Sequence, residues 1–478
     1  TLNIDKTMQM IDLLNKQNNQ LDRTIMKNKS LKRVLVFFIT AVTIVSSVTI
    51  ADMRYVKAET SWPTGIDVTA EAVEVMDIDT GTVLYQKNPD IQEHPASITK
   101  LLTALVAVEN CSLDEIVTFS KEAVFKNESS SSSHIARDVG EKMTMEDCLY
   151  GMLLASANEC ADAIAEHVGG TKENFVKMMN DKAKELGCTN SNFACTNGLI
   201  DENHYTTAHD MALISRAAYL RPEVAKIAGK GQYTINPTNV HTDPTYLTNH
   251  HEMLHGYRTY RYKYEYCKGG KTGYTKAAHF TLVTYAEKDG KRLLCVILNE
   301  PTKNMQFTET TNLFEYFFAN IEEHKASEIY NISSEKAKKE IGNGRSFKNI
   351  SMEDAKVVTP LGTDIKDIKY KYRSLKKVDG KTGAIGTVKF SYEGKDIGQS
   401  AIYDKSEIIK TSKKTVANKN VKTKKQYYAE YGKIIGILIV FAIIILALFA
   451  ARIFISKKRN KGSKEALWNA WKSNKKRR

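Results

Sequence analysis

Proline is scarce in this chain, eight residues in 478, and glycine is limited to 26. Collagen-like and Pro/Gly-rich low-complexity proteins are thereby excluded. A basic folded patch is also missing. The formal net charge is +14, yet residues beyond 451 carry +10 and residues 1–33 carry +4, so 34–451 is neutral. Basicity confined to the two ends, beside apolar runs, reflects membrane topology rather than nucleic-acid binding. The seven cysteines are odd in number and fit no zinc spacing. Cys188 and Cys195 are close enough in sequence to bridge a loop, but a unit of this size needs no disulfide framework. With 42% hydrophobic and 26% charged residues the chain is not disordered, and its length suits two or three folded units.

The apolar runs give the outer organisation. Residues 26–58 read as an export signal, with Lys27, Lys29, Lys32 and Arg33 ahead of the run Val34 to Ala51. A small-residue cleavage pattern at Val56-Lys57-Ala58 ends it, and residues 1–25 are an upstream extension. Ile434 to Ala451 is an uncharged run of 18 residues, the length of a spanning helix. The basic tail 452–478 behind it orients that tail to the cytoplasm and residues 59–430 to the outside.

Between these segments, 66–322 mixes strand and helix patterns. Ala72 to Ile78 and Thr82 to Gln86 flank Asp79-Thr80-Gly81 as a hairpin, and Phe280 to Ala286 and Arg292 to Leu298 flank Asp289-Gly290 as another. Ile98 to Val108 reads as a buried helix, followed by helices over Met145 to Ala165, Thr207 to Leu220 and Asn312 to Ile321. Helices around an antiparallel sheet are expected. Residues 323–411 turn to short alternating runs between glycine turns, a small all-β domain, and 412–433 are a lysine-rich spacer.

One residue in the first helix is out of character. Lys100 is a charged amine in an apolar segment, three residues after Ser97 at the helix start. Positions i and i+3 share a helix face, so the amine reaches the hydroxyl. Burial lowers a lysine pKa and makes it a base near neutrality, and the helix N-terminus offers N–H groups to an oxyanion. Alone, Ser-x-x-Lys is also compatible with a capping serine and a snorkelling lysine. Ser156-Ala157-Asn158 then interrupts an apolar stretch, and Lys271-Thr272-Gly273-Tyr274 follows Gly269-Gly270 at a strand edge, which suits a ligand carboxylate.

Ser-x-x-Lys, Ser-x-Asn and Lys-Thr-Gly in this order are far more specific than any one of them. Pro95 to Leu102, Gly151 to Asn158 and Gly270 to Thr275 resemble the serine D-alanyl-D-alanine carboxypeptidases, the low-molecular-weight penicillin-binding proteins of the S11 peptidases. Asn197-Gly198-Leu199, His204 to Ala208 and Asp210-Met211-Ala212 resemble them too. The resemblance implies a serine β-lactamase/transpeptidase-like catalytic domain, an α/β (α+β) fold, followed by the β domain and the membrane anchor. It implies that Ser97 attacks the D-Ala-D-Ala carbonyl, Lys100 takes its proton, and Ser156 relays a proton to the leaving group. Asn158 holds Lys100 and the substrate, Lys271 and Thr272 bind the carboxylate, and N–H groups of Ser97 and Tyr274 form the oxyanion hole. The implied partners are peptidoglycan stem peptides, β-lactam antibiotics and the bacterial cell membrane; no metal, cofactor or nucleic acid is implied. An endopeptidase and a silent wall-binding relative are the alternatives.

Two departures bear on substrate preference: His279 where members often carry glycine, and Gln306 where some carry arginine. Slow release of penicillin is expected, because no Glu-x-x-Leu-Asn stands between the second and third motifs. Of the decoys, His251-Glu252-Met253-Leu254-His255 matches a zinc-peptidase pattern, but Gly256 shortens any helix there. Lys381-Thr382-Gly383 follows a turn signal and reads as structural, and Ser129 to Ser133 reads as a loop at the site mouth.

Overall fold

The computed structural model of the protein describes residues 61–125, 132–199, 201–342, 350–375 and 383–404. The expected signal (26–58), the spacer and the spanning run 434–451 lie outside the described residues. Among the described residues no helix is long and apolar enough to cross a membrane.

The chain divides into two units. One takes residues up to 331 together with 354–372 and 388–400; the other takes 332–353, 373–387 and 401 onward.

The first unit is built on β1 (Ala72–Asp77), β2 (Val83–Lys87), two short antiparallel pairs β3 (Ile116–Thr118)/β4 (Lys142–Thr144) and β5 (Gln232–Ile235)/β6 (Thr245–Thr248), and then β7 (Cys267–Thr275), β8 (His279–Lys288) and β9 (Lys291–Glu300). Its central sheet runs in the order β2-β1-β9-β8-β7, and its neighbouring strands pair antiparallel. Asp289 and Gly290 join β8 to β9 in a two-residue turn, both at positive φ (52° and 79°), as a type I′ hairpin demands.

Both faces of this sheet are covered, which is why β9 carries a continuous apolar run, Leu293 to Leu298. Ala72, Met76, Leu294, Val296 and Leu298 face one core, packed with α1 (Lys100–Asn110), α2 (Met145–Leu154), α3 (Asn158–Gly169) and α4 (Lys172–Glu185), and with α5 (Ala208–Tyr219) and α6 (Pro222–Ala228). Val73, Val75, Leu293, Cys295 and Ile297 face a second core with Phe307, Leu313, Phe314 and Phe317 of α7 (Lys303–Asn320).

The helix expected over 145–165 is two helices. Ser156 takes φ 63°, Ala157 N–H closes back on Gly151 O at 3.1 Å, and α3 starts afresh at Asn158. The closing helix begins at Lys303 rather than Asn312, because its first turns bury Gln306 and Phe307 against the sheet. Nor is 323–411 wholly strand. Strand β10 (Ile321–Lys325) pairs antiparallel with β12 (Lys356–Pro360) in the first unit, and helical segments lie at Ala326–Ile329 and Glu335–Gly342. In the second unit β11 (Ile350–Met352) pairs antiparallel with the 402–404 end of a strand that begins at Lys395. All seven cysteines are free, and Cys188 and Cys195 do not pair.

Candidate active site

Ser97 sits in a 3₁₀ turn, Ala96–Thr99, that runs straight into α1. Three contacts fix this turn. Ala96 holds φ 50°, a left-handed conformation costing about 1–3 kcal/mol for a residue with a Cβ. Gly198 lies so close beneath it that a Cβ there would meet Ala96 O at 1.8 Å. Thr281 of β8 donates to Pro95 O at 2.8 Å. On the open side runs β7, where a Cβ on Gly273 would lie 2.9 Å from Ser97 N and 2.3 Å from Thr281 Oγ1. The edge strand therefore reaches the serine only because position 273 has no side chain.

Lys100, fully buried, points its amine back at the turn. Nζ lies 3.0 Å from Ser97 Oγ, 2.7 Å from Asn158 Oδ1 and 2.6 Å from Asn197 O. The last two partners can only accept. A neutral amine has two N–H bonds, which they consume, so its lone pair faces the serine hydroxyl. Ser97 Oγ has one other contact, Asn197 O at 3.5 Å, too long for a strong bond.

Ser156 and Lys271 make a second pair, Nζ to Oγ at 3.1 Å, with Thr272 O at 2.8 Å from the same ammonium. The break between α2 and α3 does this positioning. It turns Ser156 to the β7 side while Asn158, as the first residue of α3, faces Lys100. Among the described residues neither lysine forms an ion pair. Desolvation pushes Lys100 down to about 7. Desolvation and then repulsion from Lys100 push Lys271 well below the usual lysine range. Two buried amines without an ion-pair partner among the described residues suit an incoming anion.

Ser97, Lys100 and Asn158 thus share one network and Ser156 and Lys271 another. Thr272 and Gly273 lie between them on β7, and Tyr274, exposed, leans on Phe280 with ring centroids 4.6 Å apart and planes tilted by 33°. His279, at φ 50°, occupies a conformation that favours glycine, and its Nδ1 meets Asn299 Oδ1 at 2.6 Å. Gln306 is buried on α7 with Oε1 unpartnered among the described residues. His251 and His255 are on turns, not one helix. His251 Nε2 is occupied by Val283 O and Thr284 Oγ1, and burial pushes the ring down to about 3. Lys381 and Thr382 lie outside the described residues.

Several contributors carried no chemical signal in the sequence. Asn197 acts through its carbonyl, which any residue supplies. Ser132 Oγ accepts from Asn158 Nδ2 at 2.6 Å and Ser133 O from Asn158 N–H at 2.9 Å, so the end of the serine run braces the asparagine. His204 is buried, and desolvation pushes it down to about 4. Its Nδ1 accepts from Ala194 N–H at 3.0 Å, so Nε2 carries the proton and donates to Thr99 Oγ1 at 2.8 Å, which donates to Ala96 O at 2.8 Å. This relay holds the strained carbonyl beside the serine. His204→Ala is expected to slow acylation about 10-fold to 100-fold with little change in KM, and His204→Gln, which offers the same donor and acceptor, to restore most of it. Stopped-flow acylation by a penicillin checks this; a fall in melting temperature without a rate change would refute the positioning role.

A serine hydroxyl 3.0 Å from a desolvated lysine amine, beside a strand edge that carries a second lysine, suits a serine acyl-transfer hydrolase. The family model for peptidase S11, D-alanyl-D-alanine carboxypeptidase, matches residues 57–302, and the chain belongs to that family. It is 28% identical to the D-alanyl-D-alanine carboxypeptidase DacF of Bacillus subtilis, over 71% of this chain and 86% of that protein. It is 30% identical to DacA of Haemophilus influenzae, over 70% and 84%. The crystal structure of a D-alanyl-D-alanine carboxypeptidase from Mycobacterium tuberculosis H37Rv is similar at 29% identity and TM-score 0.48, over 54% of this chain and 94% of that one.

Proposed function

We propose that this protein removes the terminal D-Ala from peptidoglycan pentapeptide stems, outside a membrane to which residues 434–451 anchor it. The observation that carries the reading is the Lys100 amine, fully buried, with two obligate acceptors and Ser97 Oγ at 3.0 Å.

The substrate's free carboxylate docks on Lys271, and its charge restores the ammonium that burial disfavours. Thr272 adds a hydroxyl contact. Ser97 Oγ attacks the penultimate D-Ala carbonyl as its proton passes to Lys100 Nζ. N–H groups of Ser97 and Tyr274 receive the oxyanion. Ser156 Oγ, bonded to Lys271 Nζ, passes its proton to the departing D-Ala amine and recovers one from Lys100, which is neutral again before deacylation, and Asn158 keeps Lys100 aimed. Water then attacks the acyl-enzyme, Lys100 takes its proton, and Ser97 is regenerated. A β-lactam enters the same first step, and its tethered leaving group stays in the site. Residues 323–411, with the lysine-rich 412–433 behind them, serve as the spacer to the membrane.

The test is D-Ala release from a pentapeptide ending in D-Ala-D-Ala, measured beside a cross-linked muropeptide. Release from the pentapeptide alone supports the carboxypeptidase. Cleavage of the cross-link alone gives the endopeptidase. No release from either, with penicillin captured normally, gives a wall-binding relative.

A further inference from the structure

The far ends of the two helices that carry Lys100 and Asn158 also meet. Cys111 caps the C-terminus of α1, His167 lies in the last turn of α3, and Glu115 lies in the loop after α1. Glu115 Oε2 is 3.4 Å from Cys111 Sγ and 3.1 Å from His167 Nε2, and the three donor atoms lie within 4.8 Å of one another. We propose that Cys111, Glu115 and His167 form a binding site for one divalent transition-metal ion, Zn²⁺ by its donor set, which clamps α1 to α3.

The donors are a sulfur, an imidazole nitrogen and a carboxylate oxygen, the three ligand types that zinc takes. Zn–N and Zn–O bonds near 2.0–2.1 Å and Zn–S near 2.3 Å set tetrahedral edges of roughly 3.3–3.6 Å between ligand atoms. The two measured separations need only tenths of an ångström of adjustment. Glu115 is already oriented from behind: its Oε1 accepts from Ser112 N–H at 2.8 Å, leaving Oε2 to the cluster. The cluster opens to solvent, so an ion can enter and a water can complete the fourth position. Binding displaces the Cys111 proton to solvent and forms the Zn–S bond, with no redox change.

A second group of donors, Asp138, Glu141 and His241, shows what a closed case looks like. There the Arg137 guanidinium sits on Glu141 Oε1 at 2.8 Å, with both side chains buried, and the cation's place is taken. Among the described residues nothing of that kind sits on Glu115.

The placement gives the ion a structural task. Helix α1 has 11 residues, about 16 Å of rise. At its start, Lys100 Nζ meets Asn158 Oδ1 at the start of α3. A clamp at Cys111 and His167 fixes the same pair at the other end.

The experiment uses the full 478-residue chain, metal-free and kept reduced, titrated with Zn²⁺ alone and with Co²⁺ alone. One equivalent of Zn²⁺ is expected to bind and raise the melting temperature, and Co²⁺ to give a thiolate charge-transfer band in the near ultraviolet. Cys111→Ser is expected to abolish the band, and Cys111→Ser and His167→Gln each to weaken Zn²⁺ at least about tenfold. Penicillin labelling of both variants verifies that they fold. No cobalt band in the wild type overturns the site, as does Zn²⁺ binding that is unchanged in both variants.

Discussion

Ser97→Ala is expected to abolish D-Ala release and covalent capture of penicillin together, by about 10⁴-fold or more. The side chain is small and half-buried, and its one short contact is the Lys100 amine. Lys100 keeps Asn158 Oδ1 and Asn197 O when the hydroxyl goes, so the fold should tolerate the loss. Among the described residues no second nucleophile is in place. Ser156 Oγ is engaged by Lys271, and Ser132 Oγ by Asn158. Intact mass after incubation with a penicillin decides the matter. An adduct of one antibiotic mass in the wild type and none in Ser97→Ala is the expected pair. An adduct that survives in the variant would locate the nucleophile elsewhere and sink the mechanism.

Lys100 has the next largest effect. Lys100→Met should slow acylation about 10²-fold to 10⁴-fold, the usual worth of a positioned base. Lys100→Arg should be as poor, because a guanidinium keeps the charge but has no lone pair to give. That comparison separates a base from a mere cation. The wild-type pH profile carries the sign. Burial pushes Lys100 down to about 7, so the amine is charged and idle below that pH and free above it. Acylation should therefore rise through about pH 7. A flat profile between pH 5 and 9 in the wild type would show that Lys100 does not titrate in the step.

Much of this was legible in the residues. Lys100 stands out because an amine in an apolar helix needs a reason, and the hairpins announce themselves by Asp79-Thr80-Gly81 and Asp289-Gly290. The break at Ser156 was legible only as Ser156-Ala157-Asn158 interrupting an apolar stretch, within what still read as one helix. Its flanks are apolar at helical spacing on both sides, and the interruption arises from one left-handed residue that bears an ordinary side chain. The start of α7 was hidden in the same way, since Lys303, Asn304 and Gln306 look like loop. The His204–Thr99–Ala96 relay joins residues over a hundred positions apart, and no local pattern encodes it. Backbone carbonyls such as Asn197 O leave no trace in a sequence at all.

The bare backbone at Gly273 constrains how such an enzyme can change under antibiotic selection. The simplest way to refuse a drug is to add bulk beside the nucleophile. At this strand even a methyl group collides with Ser97 N and Thr281 Oγ1. A variant that excluded the inhibitor there would exclude its own peptide as well, since both must present a carbonyl to the same atoms. Heritable tolerance has more room at the rim, where Tyr274 is exposed and Ser132–Ser133 brace the asparagine, and where side chains can vary without moving the serine.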